Sequence, residues 1–362
     1  MKIIDYTHTI TKEHELSAYF TGQYNPEDLL FFDIETTGFI AKHTTLYLIG
    51  VLWFKNNTIH IRQWFNDNGC DEKVILTSFL EFTHTFTHLI HFNGLGFDLP
   101  YLKQKADIHN LTFSLEECMT QIDIYKEIRS YKNLFALDNM KQVSIEDFLG
   151  IARDDEKSGK ELIRVYQQYI GKPDEQLEHL LLLHNHDDLL GMTKISHIMN
   201  YKWFIESPTI ASYTCNQENN YLVIHFQVAD GPYLPKRITA TKCGIHLNAI
   251  EQKGILSVPI CKDTLKHFFT DYKNYYYLPL EDIAIHKSVA TYVDSHNKVK
   301  ASKETCYISK TDSFIPSCSH GDYEYFRTDW KTKQEYILLS AFLEADDETK
   351  IQYITKTLSM FL

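Results

Sequence analysis

The stretch FFDIETTG, residues 31–38, places two acidic residues in an otherwise apolar strand. Asp33 and Glu35 are two residues apart, so on a β-strand both side chains point to the same face of the sheet. Two carboxylates at the end of a buried strand repel each other and lose hydration, which a bound divalent cation would relieve. The stretch therefore suggests a metal site, although a strand end that emerges into water also fits.

A further acidic residue, Asp98, follows a glycine-containing turn in HFNGLGFD, residues 91–98. The pattern predicts a strand that stops at Asn93, a tight turn that the two glycines permit, and a helix that begins at Asp98. The alternative is that Asp98 only caps this helix. The Gly-x-Gly spacing is not a dinucleotide-binding fingerprint, because the third glycine is missing.

The third segment is LLLHNHDDLL, residues 181–190, within a helix that is otherwise apolar. His184 and Asp188 are four residues apart and share a helix face, which favours Asp188 over Asp187 as the inward acid. An exposed polar stripe on a surface helix is the alternative. Three separate elements thus supply carboxylates, the ligands that Mg²⁺ prefers, and a pair of such ions can hold the attacking and leaving oxygens of a phosphodiester.

The surrounding pattern predicts an α/β domain over residues 29–205. Strands are expected at 29–34, 44–54, 58–65, 89–92 and 121–124, and a short Lys-Asn-Asn link makes the second and third an antiparallel hairpin. Helices are expected at 71–86, from 98, and at 138–148, 159–170 and 174–203. We therefore expect a mixed five-stranded sheet flanked by helices.

The rest of the chain is predicted to be an N-terminal arm over residues 1–28 and a smaller α+β domain over residues 206–362. Short strands rich in β-branched residues are expected at 221–226, 237–241 and 254–258. Helical pieces are expected near 263–270, 281–293 and 333–345. This C-terminal domain is a candidate for substrate binding.

Taken together, the three segments resemble the three exonuclease motifs of the DEDD superfamily. The matching patterns are Asp-x-Glu-Thr-Thr-Gly, Asn-x-x-x-Phe-Asp and His-x-x-x-Asp, and the resemblance covers about residues 29–205. In more detail, the chain resembles the bacterial YprB-like branch of ribonuclease H-like proteins, to which residues 153–163 are also similar. The resemblance implies a ribonuclease H-like fold and 3′-to-5′ exonuclease activity with two divalent cations, Mg²⁺ or Mn²⁺.

The resemblance also implies roles for individual residues. The metal ligands would be Asp33, Glu35, Asp98 and Asp188, with Asp33 shared between the two ions. The residues at the terminal nucleotide would be Thr36, Thr37 and Gly38, with Phe39 and Phe97 stacking on or wedging beside a base and Asn93 bonding the sugar-phosphate.

His184 departs from the superfamily pattern. The usual third motif has Tyr four residues before its Asp or His five residues before it, whereas His184 stands at the Tyr spacing. One residue is about 100° of helix rotation, so the imidazole need not reach the attacking water in the usual way. We take His184 as the general base, with an orienting role or no role as the alternatives.

Composition limits the classes of function. The 362 residues carry a net charge of −12, which argues against holding nucleic acid by bulk positive charge. Residues 1–205 contain 19 Lys and Arg against 29 Asp and Glu, so the acidity is concentrated in the half with the predicted metal site. At 44% hydrophobic residues, wholesale disorder is also excluded.

Targeting and cysteine patterns predict a cytoplasmic protein without a membrane partner. The longest apolar run, residues 46–54, is much shorter than the roughly 20 residues that cross a bilayer, and no apolar leader opens the sequence. The seven cysteines form no C-x-x-C pair, so neither a disulfide framework nor a zinc knuckle is expected. His84, His88 and His91 have helix-like spacing, but His91 is expected in a strand, which favours structural roles over zinc binding.

The function predicted from the sequence is a metal-dependent 3′-to-5′ exonuclease that releases nucleoside 5′-monophosphates from single-stranded DNA or RNA. Two alternatives stay open. One is a non-catalytic nucleic-acid- or protein-binding module on the same fold. The other is a ribonuclease H-like endonuclease, which would cut internally.

Overall fold

The computed structural model describes residues 1–151, 159–229, 231–317 and 323–362. They form two compact units, Met1–Trp203 with Gly231–Lys236, and Phe204–Asp230 with Arg237–Leu362. A single boundary after residue 205, as predicted from the sequence, does not represent this division, because the segment 231–236 belongs to the first unit. Within the stretch that supported the YprB-like resemblance, residues 153–158 lie outside the described part of the chain.

A six-stranded mixed sheet forms the centre of the first unit. Its strands are β1 (Lys2–Thr9), β2 (Leu29–Thr36), β3 (Leu46–Lys55), β4 (Thr58–Phe65), β5 (His88–His91) and β6 (Thr120–Asp123). Their spatial order is β1-β4-β3-β2-β5-β6. In this order, the neighbours β1–β4, β4–β3 and β3–β2 pair antiparallel, and the neighbours β2–β5 and β5–β6 pair parallel. The structure confirms the predicted mixed sheet and adds one strand to the five expected.

The additional strand comes from the segment that was predicted to be an arm. β1 pairs antiparallel with β4 along its whole length, from Lys2 opposite Phe65 to Thr9 opposite Thr58. The arm prediction is therefore wrong for this segment. Its side chains are alternately exposed and half-buried, as on an edge strand, and such a strand has no run of buried apolar residues to reveal it.

The hairpin between β3 and β4 is confirmed. Its two turn residues, Asn56 and Asn57, have φ values of 51° and 57°. Positive φ at both positions is the signature of the tight turns whose twist matches that of paired strands, and Asn tolerates it better than most residues.

Helices cover both faces of the sheet. They are α1 (Ala18–Gln23), α2 (Glu72–Thr83), α3 (Asp98–His109), α4 (Leu115–Cys118), α5 (Ile124–Ile128), α6 (Gln142–Leu149), α7 (Gly159–Gly171), α8 (Glu175–Ile195) and α9 (Met199–Glu206). Apolar residues of α2 and α3 share one buried cluster with Phe32 and Ile34 of β2. Residues of α7 and α8 share another with Tyr47 and Phe65. Because side chains alternate along a strand, Asp33 of β2 points away from α2 and α3 and towards α8.

The second unit is rich in strands. They are β7 (Ile210–Glu218), β8 (Tyr221–Val228), β9 (Leu234–Lys242), β10 (Ile245–Glu251), β11 (Lys253–Pro259), β12 (Cys261–Phe268), β13 (Tyr275–Leu278), β14 (Ile283–His286), β15 (Val299–Lys300), β16 (Tyr307–Ser317) and β17 (Glu335–Leu338). They form sheets of order β7-β8-β11-β10-β9, β12-β16-β17 and β14-β13-β15. The helices are α10 (Lys287–Ala290), α11 (Leu339–Glu344) and α12 (Asp347–Ser359).

The three helical pieces predicted in this unit are largely wrong. Residues 263–270 fall mostly in β12, which pairs with β16 from Cys261 opposite Phe314 to Phe268 opposite Tyr307. The region 281–293 contains β14 and only the four-residue α10. The region 333–345 begins with β17, and the predicted helix is present only in its second half, as α11. Apolar residues at 265, 268 and 269 have the spacing of a helix, but pairing with a distant strand decides the conformation.

None of the helices in the described part of the chain combines the length and the apolar character that crossing a bilayer requires.

The pairing of β1 gives a first prediction. Deleting residues 1–10 is expected to lower the melting temperature by at least about 5 °C, because β4 loses one of its two partner strands and the sheet loses packed apolar area. Self-association should also increase, since the unpaired backbone of β4 becomes an exposed edge. Thermal unfolding and light scattering after gel filtration measure the two effects.

The matched control is Asp5→Asn, which removes only the exposed ion pair between Asp5 Oδ1 and Arg62 Nε, 2.7 Å apart. Such a pair contributes under about 1 kcal/mol. Equal melting temperatures for the deletion and Asp5→Asn would show that β1 does not stabilise the sheet.

Candidate metal centre

The site begins on the face of β2 that points towards α8. Asp33 and Glu35 lie on this face, while Phe32 and Ile34 are buried on the opposite one. A register shift between Glu35 and Thr36 ends the regular pairing of β2 with β3 directly after the acidic pair. The two carboxylates thus lie at the last regular residues of a central strand.

Helix α8 supplies the facing side chains. Asp174 caps its first turn by accepting hydrogen bonds from the backbone amides of Gln176 and Leu177. The buried side of the helix contains Leu181, Leu182, Asn185, Leu189 and Met192. His184 and Asp188 border this buried side and reach β2.

Glu35, His184 and Asp188 come together in space. His184 Nε2 lies 3.5 Å from Glu35 Oε1 and 3.3 Å from Asp188 Oδ2. One ligand atom from each of the three lies within 4.8 Å of the others, and within the described ranges this is the only such group of three. Asp187 turns elsewhere, with Oδ1 3.1 Å from His186 Nδ1.

Asp33 belongs to the same electrostatic cluster. Burial, followed by the carboxylates of Glu35, Asp98 and Asp188, raises the pKa of Asp33 well above its usual range, and His184 opposes this rise. Like charges at short range disfavour ionisation, so Glu35, Asp98 and Asp188 each add to the rise that burial causes.

Asn185 fixes the orientation of Asp33. Its Nδ2 donates to Asp33 Oδ2 at 2.9 Å, and its Oδ1 accepts from Gln63 Nε2 at 2.8 Å. Gln63 also donates to the backbone carbonyl of Leu182 at 2.9 Å. Both amide side chains belong to fully buried residues. This buried polar chain ends on a carboxylate, while Gln63 Oε1 is buried without a hydrogen-bond partner among the described residues.

Gly50 makes room for Asn185. In the sheet, Asp33 is opposite Gly50 and Gly50 is opposite Gln63. A Cβ at position 50 would lie 1.9 Å from Asn185 Oδ1 and 2.8 Å from Leu189 Cδ1. The absence of a side chain here therefore allows α8 to approach β2 and β3 closely enough for the amide to reach Asp33.

Asp98 is placed by a turn that Asp123 organises. Asn93, at φ 61°, and Leu95 donate their backbone amides to the Asp123 carboxylate at 2.8 and 3.1 Å. Asp98 is the first residue of α3 and only 8% exposed. Burial, with Asp123 adding to it, raises the pKa of Asp98 to about 7, although a backbone hydrogen bond acts in the opposite direction. His91 faces Asp123 as well, with Nδ1 3.6 Å from Oδ2.

The residues predicted to contact nucleotide divide into two groups. Phe39 is 84% exposed, and its ring centroid is 5.7 Å from that of Phe97 in an edge-to-face pair. Asn93 is also exposed. These three side chains are therefore accessible to a ligand beside the carboxylates.

The hydroxyls of the other group are engaged within the loop after β2. Thr36 Oγ1 donates to the Gly38 carbonyl at 2.9 Å, and Thr37 Oγ1 accepts from the Thr45 amide at 2.8 Å. A Cβ on Gly38 would lie 2.9 Å from Thr44 Cγ2. These residues shape the loop after β2.

The donor set fits a divalent cation. Carboxylate oxygens suit Mg²⁺ and Mn²⁺, whereas an imidazole nitrogen is a ligand of transition metals rather than of Mg²⁺. Tyr47 Oη donates to Glu35 Oε2 at 3.1 Å, and burial next to Glu35 keeps the pKa of Tyr47 well above its usual range. Tyr47 thus stays a neutral donor that orients a carboxylate.

The supporting residues were not found from the sequence. They are Tyr47, Gly50, Gln63, Asp123 and Asn185. Two of them had a visible signal: Asn185 is a polar residue on the buried stripe Leu181, Leu182, Leu189 of α8, and Gly50 interrupts an apolar strand. The partners that these signals call for lie far away in sequence, so their identity depends on strand register.

Gly50→Ala is predicted to destabilise the protein by more than about 2 kcal/mol, because the added methyl group overlaps Asn185 and Leu189. Chemical denaturation measures the change. The control is Gly171→Ala, where nothing lies within 4 Å of the added Cβ, and a neutral or slightly stabilising effect is expected. Equal effects at both positions would contradict the close approach of α8.

Asp98 gives a pH-dependent prediction. With a pKa of about 7 in the folded state and 3.8 in the unfolded chain, the folded protein binds more protons between these values. The free energy of unfolding in EDTA should therefore fall as pH rises from 4.5 to 7.5. One pKa unit corresponds to about 1.4 kcal/mol, so the part due to Asp98 is at most about 4 kcal/mol.

The variant Asp98→Asn removes this titration. Denaturant unfolding in EDTA should find it more stable than the native chain at pH 7.5 and similar at pH 4.5. Asp147→Asn, at an exposed position of α6, is the control and should follow the native chain at both pH values. An Asp98→Asn variant that keeps the native pH dependence would contradict the burial of this carboxylate.

Comparison with known proteins finds a matching family model and a related protein. Residues 30–200 match the family model described as RNase_H superfamily. Over 198 residues the chain is 26% identical to the uncharacterized protein YprB of Bacillus subtilis (strain 168), a match that covers 54% of this chain and 46% of that protein. The match therefore spans about half the length of this relative.

Solved structures give more distant similarities. The family B DNA polymerase from Pyrobaculum calidifontis is 12% identical with a TM-score of 0.41, covering 69% of this chain and 35% of that one. Exonuclease I from Methylocaldum szegediense is 12% identical with a TM-score of 0.28, covering 54% and 53%. At these scores the similarities add nothing about activity or substrate. The family match, the mixed sheet and its flanking helices agree that residues 30–200 of this chain form a ribonuclease H-like domain.

Proposed function

We propose that the ribonuclease H-like domain is a metal-dependent nuclease that removes nucleotides one at a time from the 3′ end of single-stranded nucleic acid. The observation that carries the proposal is the convergence of four carboxylates and one imidazole from β2, α3 and α8. The cluster is unfavourable in itself, because burial and the neighbouring carboxylates raise the pKa of Asp33, and burial with Asp123 raises the pKa of Asp98.

The residues proposed to hold two divalent cations, Mg²⁺ or Mn²⁺, are Asp33, Glu35, Asp98 and Asp188. Bound cations would stabilise negative charge on the attacking and leaving oxygens of a phosphodiester. Asp33 is the candidate for the shared ligand, because the other three carboxylates all act on it. Asn185 would keep one oxygen of Asp33 in a fixed orientation.

His184 is proposed to accept the proton of the attacking water. Its Nε2 faces Glu35 and Asp188, so two carboxylates would stabilise the imidazolium that forms. The same position also suits a nitrogen ligand for a transition metal. The two roles separate experimentally, since loss of a base lowers the rate and spares metal affinity, whereas loss of a ligand lowers both.

Phe39 and Phe97 are proposed to contact the terminal base. Their edge-to-face pair presents an exposed apolar surface next to the turn that carries Asp98. A base that stacks there gains contact without sequence preference, because every base has a π face. Asn93 is proposed to bond the sugar-phosphate at the same end of the strand.

The test uses one oligonucleotide sequence as 5′-labelled single-stranded DNA and RNA, incubated with Mg²⁺, Mn²⁺ or EDTA. A one-nucleotide ladder that disappears in EDTA and is blocked by a 3′-phosphate is expected. Asp188→Asn should reduce the rate at least about 100-fold, since it removes a charged group of the cluster. Its neighbour Asp187→Asn, which contacts His186 instead, should stay within about threefold.

Each other outcome identifies a rival. Internal fragments that a 3′-phosphate does not block would indicate an endonuclease. No cleavage of DNA or RNA with any metal would indicate a binding module on the same fold. Equal losses for Asp187→Asn and Asp188→Asn would contradict the assignment of Asp188.

A further inference from the structure

The five-stranded sheet of the second unit has one buried and one open face. Leu222 and Ile224 of β8 and Leu256 of β11 are fully buried on the inner face. The residues that alternate with them are exposed or half-exposed. On the open face, strand register aligns these side chains into rows that cross the sheet.

The first row crosses four of the five strands. Thr214 is opposite His225, His225 is opposite Ile255, and Ile255 is opposite Asn248. Arg237 of β9 reaches this row, because its Nη1 donates to Asn248 Oδ1 at 2.6 Å. With neighbouring strands about 4.8 Å apart, the four paired residues span roughly 14 Å.

A second row runs beside it. Ser212 is opposite Gln227, Gln227 is opposite Lys253, and Lys253 is opposite Ile250. Rows on one face are two residues apart along each strand, about 6.6 Å. The two rows line a shallow groove of about 380 Å³ that contains Arg237 and Lys253.

The charge within these rows has one sign. A third row, from Asn216 through Val223 and Ser257 to His246, is again free of acidic residues. Among the described residues of these three rows there is no Asp or Glu, although acids outnumber bases in the chain by 48 to 36. The acidic residues of these strands, Glu218 and Glu251, stand at the strand ends.

We propose that this open face binds the phosphate backbone of single-stranded nucleic acid; the inference rests on the proposed nuclease function, for which such a strand is the substrate. Arg237 and Lys253 supply charge to phosphates, and the hydroxyl and amide side chains of Ser212, Thr214 and Gln227 supply neutral donors. Contacts of this kind position a strand without reading its sequence. The half-exposed Ile255 offers an apolar contact to bases.

Charge complementarity selects this occupant. A protein with a net charge of −12 repels a polyanion in general, so rows without acids are the kind of surface where one can approach. An acidic polypeptide would satisfy the same cations. However, the half-exposed Ile255 in the first row offers an apolar contact that a nucleobase can use and an acidic side chain cannot.

The test is fluorescence anisotropy of 5′-labelled dT20 and U20 in EDTA, where cleavage cannot interfere. The double variant Arg237→Gln/Lys253→Gln is expected to bind at least about tenfold more weakly. The logarithm of the association constant decreases linearly with the logarithm of the salt concentration. The steepness of this decrease should be smaller by about 1.4 in the double variant, since each phosphate contact of a single strand contributes about 0.7. Lys253→Gln alone should give half the change in slope, and thermal unfolding should be unchanged because both positions are exposed.

The matched control is Lys262→Gln/Lys310→Gln, which removes two exposed charges from another sheet of the same unit and should stay within about twofold. Equal affinities for the two double variants, or no binding of either oligonucleotide by the native chain, would overturn the inference. So would a labelled polyglutamate peptide that binds this face in place of the oligonucleotides. Cleavage with Mg²⁺ or Mn²⁺ is assayed separately. A protein that cleaves but whose open face does not bind the oligonucleotides overturns only this inference. A protein whose open face binds them but that does not cleave overturns only the proposed nuclease function.

Discussion

The close packing of α8 on β2 and β3 is the constraint on which the candidate site depends. It requires Gly50 to lack a side chain, so that the Asn185 amide can enter the space above the strand and reach Asp33. The same approach brings His184 and Asp188 up to Glu35. One steric condition on a central strand therefore determines whether carboxylates from separate elements share a site.

This packing holds groups together that would separate if they were free. Three carboxylates act on Asp33, and burial removes the water that would screen their charges. The rest of the sheet compensates, with apolar clusters on both faces and a sixth strand along the edge. An unfavourable group of charges within a well-packed domain is typical of a functional site, where ligand binding rather than folding determines which residues are present.

The sequence predicted the first unit far better than the second. In the first unit, Phe32 and Ile34 alternate with Asp33 and Glu35, and the Asn-Asn turn defines a hairpin, so local patterns agree with the final fold. In the second unit, the segment around Leu265 has apolar residues at helical spacing but forms β12 through eight residue pairs with β16. The preference of a short segment for helix is weak compared with the hydrogen bonds and side-chain packing that it gains in a sheet.

By itself, the sequence determined that β2, the turn before α3 and α8 each place acidic residues in a predominantly apolar setting, because that depends only on chemical type and on the periods of strand and helix. Tertiary structure alone decided which groups support them: Gly50 opposite Asp33, Gln63 and Asn185 linked to Asp33 by hydrogen bonds, Tyr47 beside Glu35, and Asp123 at the turn of Asn93. It also placed the N-terminal residues in the sheet. These contacts join residues far apart in the chain, and only strand register and helix packing bring such residues together.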